Sequence, residues 1–174
     1  MSLLNVPKRY NRAVFKAKTT IQNEVAQYFI ENFSNKNLDK SSDVLLFGAI
    51  GTGKTYLSCA FGIELIEKKQ IGVKYITEYA LLALYFEKNY QRFNTFRDSQ
   101  ILILDEIGKR VLTDWQRIQL EELLSHRYNE QLPTIYITNL EQEAFRAFLG
   151  VRLADRLREN VIRMFAFNGG SLRG

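Results

Sequence analysis

The stretch that most constrains this chain is residues 43–56, DVLLFGAIGTGKTY. Val44 to Phe47 is a short apolar run of strand-forming residues. Gly48-Ala49-Ile50-Gly51-Thr52-Gly53-Lys54-Thr55 then satisfies the phosphate-binding loop pattern at each of its fixed positions. The residue types follow from the chemistry of a triphosphate, which concentrates negative charge and needs many donors at short range. Glycines let backbone N–H groups close around phosphates with no Cβ in the way. A helix starting near Lys54 aims its positive end at the same point. Lys54 is expected to reach the β- and γ-phosphates, and the Thr55 hydroxyl to ligate Mg²⁺. Tyr56, next in line, completes the expected ATP/ADP contact set from Gly48 onward. Tyr56 to Lys69 carries Leu57, Ala60, Phe61, Ile63, Leu65 and Ile66, the pattern of a buried helix.

The rest of the chain repeats this alternation. Pro7 to Tyr10 is expected to be extended. Ile21, Val25, Tyr28, Phe29 and Phe33 fall at helical spacing and predict a helix over about 20–33, followed by a polar loop over 35–42. A second strand is predicted at 72–77 and a helix from Glu78 to about Arg97. Ile101 to Leu104 reads as a strand buried on both faces, ending in Asp105-Glu106. Thr113 and Gln116 form a capping box that opens a helix to about Glu130. A fourth strand at 134–138, a helix at 141–149 broken at Gly150, a short helix at 151–158 and a fifth strand at 161–167 complete the chain. Five strands alternating with helices predict a parallel sheet covered on both faces. The expected division is a basic N-terminal segment, 1–19, and one domain, 20–174, with no separate helical lid after the sheet.

The net charge of +5 is unevenly placed. Residues 1–20 hold Lys8, Arg9, Arg12, Lys16 and Lys18 and no acid, and residues 146–174 set six arginines against Asp155 and Glu159. The middle carries a net negative charge. Basic ends suggest contacts with anions, nucleotide or nucleic acid, although a solvated basic arm reads the same way over residues 1–20. The one cysteine, Cys59, excludes an intrachain disulfide and fits a reducing cytoplasm; its place inside a helix points to core. No apolar run approaches the roughly 20 residues that span a bilayer, so no membrane contact is expected.

Further chemistry gathers at strand ends. An aspartate closing a buried strand can hold Mg²⁺, and a neighbouring carboxylate can polarise the attacking water, so the pair Asp105-Glu106 points to hydrolysis as well as binding. Asn139 ends the fourth strand, where an amide can reach the γ-phosphate or the lytic water, or simply cap the next helix. Arg152 and Arg156 are four apart and share a helix face. They are either a solvated basic face or a source of an arginine supplied across a subunit boundary. Arg173, after FNGGSL, is a tail residue or a phosphate contact. His126, the one histidine, reads as structural or solvated, and no metal-ligand cluster is visible.

GAIGTGKTYL, ILILDEIG, TDWQR, TIYITN, RLADRL and FNGGSLR, in this order, resemble bacterial helicase loaders of the DnaC/DnaI type, which are AAA+ ATPases, with the IstB-type transposition helper ATPases as close cousins. The resemblance covers nearly all of residues 5–174. It implies an α/β, three-layer P-loop NTPase of the AAA+ class. It implies that Lys54, Thr55, Asp105, Glu106 and Asn139 act as loop lysine, metal hydroxyl, metal aspartate, catalytic glutamate and sensor. Arg156 would be the finger reaching a neighbour's ATP, Arg173 the second sensor arginine, and Lys8 to Tyr10 would run near the adenine. Relatives line a DNA channel with a helical pair after the second strand, here about 78–97. Its interleaved Lys88, Tyr90, Arg92, Phe93, Phe96 and Arg97 suit single-stranded DNA, with Lys88 and Arg92 as contacts. Equally, Glu78, Glu87 and Asp98 cancel the charge, and Phe93 and Phe96 suit a core.

The implied function is that of a primosome component in DNA replication: an ATPase, weak as a monomer, that self-associates into a ring or spiral on single-stranded DNA and helps load a DnaB-type replicative helicase. The helicase-gripping N-terminal domain of loaders has no counterpart in these residues. The alternatives are an IstB-like ATPase acting on duplex DNA, and an ATP-binding regulatory module of low turnover.

Overall fold

The computed structural model describes residues 5–33, 43–159 and 163–172, with 156–159 described by their backbone alone. The described residues form one five-stranded parallel sheet. β1 is Val44–Gly48, β2 Val73–Thr77, β3 Ile101–Ile107, β4 Thr134–Thr138 and β5 Arg163–Phe167, in the spatial order β2-β3-β4-β1-β5. β-Branched and aromatic residues fill these segments, the types that pack best on a pleated surface. Strand alternation divides them between two cores. Val44, Leu46, Ile101, Ile103, Ile135 and Ile137 face one way, onto Val25, Phe29, Leu57 and Phe61 of α1 (Thr20–Phe33) and α2 (Lys54–Glu64). Leu45, Phe47, Leu102, Leu104 and Tyr136 face the other way. That second face is covered by α3 (Glu78–Phe86), α4 (Tyr90–Arg97), α5 (Asp114–Asn129), α6 (Gln142–Leu149) and α7 (Val151–Glu159). The result is the expected three-layer arrangement. The capping box between Thr113 and Gln116 is present at the start of α5. Cys59 is buried, as its helical place implied.

Two expectations read from the residues are corrected. Residues 78–97 form two helices instead of one, the pair that the family resemblance implied, because Lys88 takes a left-handed conformation (φ 57°) and the Asn89 side chain accepts from Arg92 N to cap α4. The residues of the pair then separate by face: Phe93 and Phe96 are core, whereas Lys88, Tyr90 and Arg92 are exposed. The second correction is at Lys8–Tyr10, a single 3-10 turn instead of extended chain. Pro7 itself is extended (ψ 140°), but its carbonyl accepts from Tyr10 N at 2.8 Å. Proline restrains the residue before it, not those after. The polar loop at 35–42 and the first residues of the fifth strand, 161 and 162, lie outside the described residues.

The end of the sheet where the strands begin is closed by a buried polar cluster. Arg127, on the last turn of α5, is 1% exposed. Its guanidinium donates to the carbonyls of Arg97 (2.8 Å), Ser99 (2.8 Å) and Pro133 (2.7 Å) and to Thr134 Oγ1 (2.9 Å). It thereby ties the end of α4 to α5 and to the start of β4. Burial lowers Arg127 to about 10, and the nearby Asp43 charge opposes that. Asp43 in turn accepts from Thr134 N at 2.7 Å and is pushed up to about 6 by burial. Arg127→Met fills similar volume but leaves these carbonyls without donors. It should destabilise the fold by about 3–5 kcal/mol, read from the midpoint of urea unfolding.

Candidate functional site

All strands run the same way, so their carboxyl ends open on one edge, the place where open α/β sheets bind ligands. A cleft of about 700 Å³ lies over this edge. One wall is the loop between β1 and α2. Gly48, Gly51 and Gly53 hold φ of 112°, 82° and 89°. A Cβ on Gly48 would sit 2.6 Å from Phe167 O, so the neighbouring strand β5 demands glycine there as strictly as the phosphate chemistry does. Among the described residues no side chain caps α2, which leaves its first N–H groups facing the cleft as anion donors. Lys54 is 5% exposed, and its ammonium donates to Gly48 O and Ala49 O, at 2.7 Å each. Burial brings it down to about 8, against the opposing pull of Asp105.

The opposite wall is the end of β3. Asp105 is buried, and its two oxygens are shared among three donors. Oδ2 accepts from Thr55 Oγ1 at 2.9 Å and from Tyr75 OH at 2.8 Å, while Oδ1 accepts from Glu106 N at 2.7 Å. Burial raises the carboxyl above the usual range, and those bonds hold the rise back. The β3–β4 register slips between Leu104 and Ile107, and Glu106 takes φ 57°. The irregularity is what allows adjacent residues to serve one cleft in two ways, Asp105 inside the protein and Glu106 exposed at its mouth. Glu106 Oε1 accepts from Lys109 Nζ at 2.8 Å.

Asn139 follows β4, lines the same cleft and is exposed. Pro7, Arg9, Tyr10, Lys18 and Gln22 close the cleft from the N-terminal side, and Leu172 from the C-terminal side. The N-terminal segment is fastened through Tyr56, whose hydroxyl exchanges hydrogen bonds with Val14 at 3.2 Å. Gln22 Nε2 donates to Thr52 O at 3.1 Å, and Leu172 N to Gly51 O at 2.8 Å.

Ile50 to Tyr56, Asp105, Glu106 and Asn139 are therefore brought together, while Gly48 and Ala49 form the base of the loop. Lys88, Arg92 and Arg152 are not among the lining residues. Arg152 pairs on the surface with Glu121 at 3.4 Å. The Arg156 side chain and all of Arg173 lie outside the described residues. Tyr75, Gln22 and Lys109 were not singled out in the sequence. Gln22 had a signal, a polar residue one turn from Val25 on the buried face of α1; Tyr75 and Lys109 had none.

A profile of the family described as IstB-like ATP binding protein matches residues 8–164. The chain belongs to that family. The IstB-like chain is 29% identical over 112 residues to the replicative helicase loader DnaI of Bacillus subtilis (strain 168), a match covering 62% of this chain and 36% of that protein. Against the replicative helicase loader DnaC of Escherichia coli (strain K12) it is 24% identical over 155 residues, 85% of this chain and 61% of that one. It thus spans between about a third and under two-thirds of the length of these relatives. The crystal structure of the DnaC helicase loader superposes with a TM-score of 0.77 and 27% identity, covering 92% of this chain and 99% of that one. The fold of this IstB-like chain is the AAA+ P-loop fold. Among the described residues no helix is long and apolar enough to cross a membrane.

Lys54→Ala removes the one ammonium buried in the loop. ATP affinity by calorimetry should fall about 10- to 100-fold, the range for losing a charged hydrogen-bond donor.

Proposed function

We propose that this chain is the ATP-hydrolysing module of a replicative helicase loader, one that assembles on single-stranded DNA and helps load a DnaB-type helicase. The observation that carries the hydrolytic part of the reading is the 2.9 Å bond between Thr55, at the start of α2, and Asp105, at the end of β3, with Glu106 adjacent over the same cleft; the loader part is supported by the similarity to DnaI and DnaC. The donor set fits Mg²⁺: a hydroxyl and a carboxylate are hard oxygen ligands, and this ion takes one or two protein oxygens beside substrate phosphates. Among the described residues there is no larger acidic or histidine cluster of the kind a protein-only metal site needs. When bound, Mg²⁺ would neutralise charge on the β- and γ-phosphates.

In this reading the loop N–H groups and Lys54 bind the phosphates, and Thr55 and Asp105 hold the metal. Glu106 orients and polarises the attacking water, and Asn139 contacts the γ-phosphate or that water. Arg156 acts on the ATP of a neighbouring subunit. One feature supports action in trans: α7 packs on α5 and α6, and none of its described residues lines the cleft. Turnover by an isolated monomer is then weak. Arg173 contacts phosphate from the C-terminal tail, consistent with Leu172 beside the loop. The basic residues Arg9 and Lys18 of the N-terminal segment line the nucleotide cleft.

Glu106→Gln should bind ATP normally and slow turnover about 10²–10⁴-fold, the usual range for a lost general base. Arg156→Ala should do likewise, and mixing the two variants should restore hydrolysis at interfaces that pair an intact site with an intact finger. A wild-type rate in Glu106→Gln removes hydrolysis through this residue from the reading.

Single-stranded DNA is proposed to meet the α3–α4 pair. Phe86 is 78% and Tyr90 47% exposed beside the cations Lys88 and Arg92, so stacking falls to these rings, with Phe93 and Phe96 taken by the core. Changing Lys88 and Arg92 together to Ala should reduce the slope of log affinity against log salt by about 1.4, at about 0.7 per phosphate contact on a single strand. An unchanged slope makes Lys88 and Arg92 solvated surface residues, and a wild-type preference for duplex favours the duplex-acting alternative.

A further inference from the structure

Glu78 is the first residue of α3, directly after the end of β2, and is 3% exposed. An acidic residue in the first turn of a helix ordinarily stays in water, where it complements the helix dipole. This one is turned inward. Its Oε2 accepts from Gly108 N at 3.0 Å. Burial pushes Glu78 up to about 7, opposed by the Gly108 N–H and by the charges of Arg110 and Arg117. A carboxyl buried at such cost needs a reason, and the bond it makes supplies one.

The peptide between Ile107 and Gly108 is held at both of its polar atoms. The Thr138 hydroxyl donates to Ile107 O at 2.7 Å, and Glu78 accepts from Gly108 N. The two clamping side chains come from the strands on either side of β3, namely the end of β4 and the residue after β2. The clamped unit begins one residue beyond Glu106. Glu106 and Gly108 both hold left-handed backbone, φ 57° and 72°. For a glutamate that conformation costs about 1–2 kcal/mol and persists where its surroundings fix it. Gly108 is also packed so closely that a Cβ there would meet Leu140 Cδ1. With the peptide plane one residue beyond it fixed in direction, the short run of backbone that carries Glu106 is anchored, and its side chain is held over the cleft mouth.

We propose that Glu78 is a positioning residue for Glu106: by holding the Ile107–Gly108 peptide it fixes the direction from which Glu106 meets the attacking water. The proposal deepens the hydrolytic reading and rests on Glu106 being the carboxylate that activates water. Glu78 does not line the cleft and touches no part of the nucleotide site directly. Its loss should therefore change the rate of the chemical step while leaving nucleotide affinity in place.

The test compares Glu78→Ala, Glu78→Gln and Glu78→Asp in the full chain, with two readouts: steady-state ATP turnover beside ATP affinity, and hydrogen exchange of the Gly108 amide by NMR. Glutamine keeps an acceptor oxygen at the same reach; aspartate is one methylene short and is the milder variant should alanine fail to fold. The Ala and Asp variants should lower kcat about 10- to 100-fold, the scale of a misplacement near 1 Å, with ATP affinity within about twofold of wild type. Their Gly108 amide should exchange about tenfold faster, as expected for losing one buried hydrogen bond. Glu78→Gln should stay near wild type on both readouts. Wild-type kcat in the Ala and Asp variants, an unchanged Gly108 exchange rate, or a Gln variant as slow as Ala would overturn the proposal. If Glu106→Gln hydrolyses ATP like wild type, the parent reading fails, and Gly108 exchange still decides separately whether Glu78 holds this peptide.

Discussion

The hydrogen bond from Thr55 to Asp105 is the contact on which the site depends. It joins the start of the helix after β1 to the end of β3, two strands that are not neighbours, because β4 lies between them. The strand order therefore does two things at once. It opens a gap between the loop and the acidic pair wide enough for a ligand, and it brings the end of β4, with Asn139, into the middle of that gap. A sheet in which β1 and β3 paired directly would close the cleft over which these residues meet.

The two ends of the sheet show opposite treatments of buried charge. At the end where the strands begin, Asp43 and Arg127 are enclosed, and the polar atoms around them are occupied by backbone and hydroxyl partners. Such a cluster fixes the packing of α4, α5 and β4 and has no reason to change. At the other end Asp105 is also buried, yet besides Glu106 N its partners are the hydroxyls of Thr55 and Tyr75, whose O–H bonds can rotate away from the carboxylate. Lys54 rests on loop carbonyls that a phosphate could replace as its partner. The first cluster is built for stability, and the second holds its charges in exchangeable bonds.

Much of this was legible in the sequence because it is local. A glycine pattern of fixed spacing, four apolar residues before an acidic pair, and a Thr and Gln three apart each specify their own structure within a few residues, and the cleft collects what they supply. Asn139 was legible for a different reason, since parallel strands all end on the ligand edge. What escaped were partners distant in sequence. Tyr75 is one of the apolar-facing residues of β2 until β3 brings the Asp105 carboxylate within 2.8 Å of its hydroxyl. Glu78 reads as an ordinary acidic start to a helix, and Arg127 as one more charge on α5. Little near either residue in the chain announces burial, because the partner of Glu78 and the Arg97 and Ser99 carbonyls that meet Arg127 lie about thirty residues away. The family resemblance implied the split of residues 78–97, but the place of the break was not legible because Lys88 is not a glycine, and a left-handed lysine leaves no compositional mark. That break decided which aromatics face solvent.

The most direct test of the account is the effect of Mg²⁺ on ATP affinity in wild type and in Asp105→Asn, which keeps shape and removes charge. If the bonded pair Thr55–Asp105 is the metal end of an ATP site, Mg²⁺ should tighten ATP binding to wild type at least about tenfold more than to the variant, the scale of one charged contact. Equal tightening in both proteins, or no ATP binding by wild type, would contradict it.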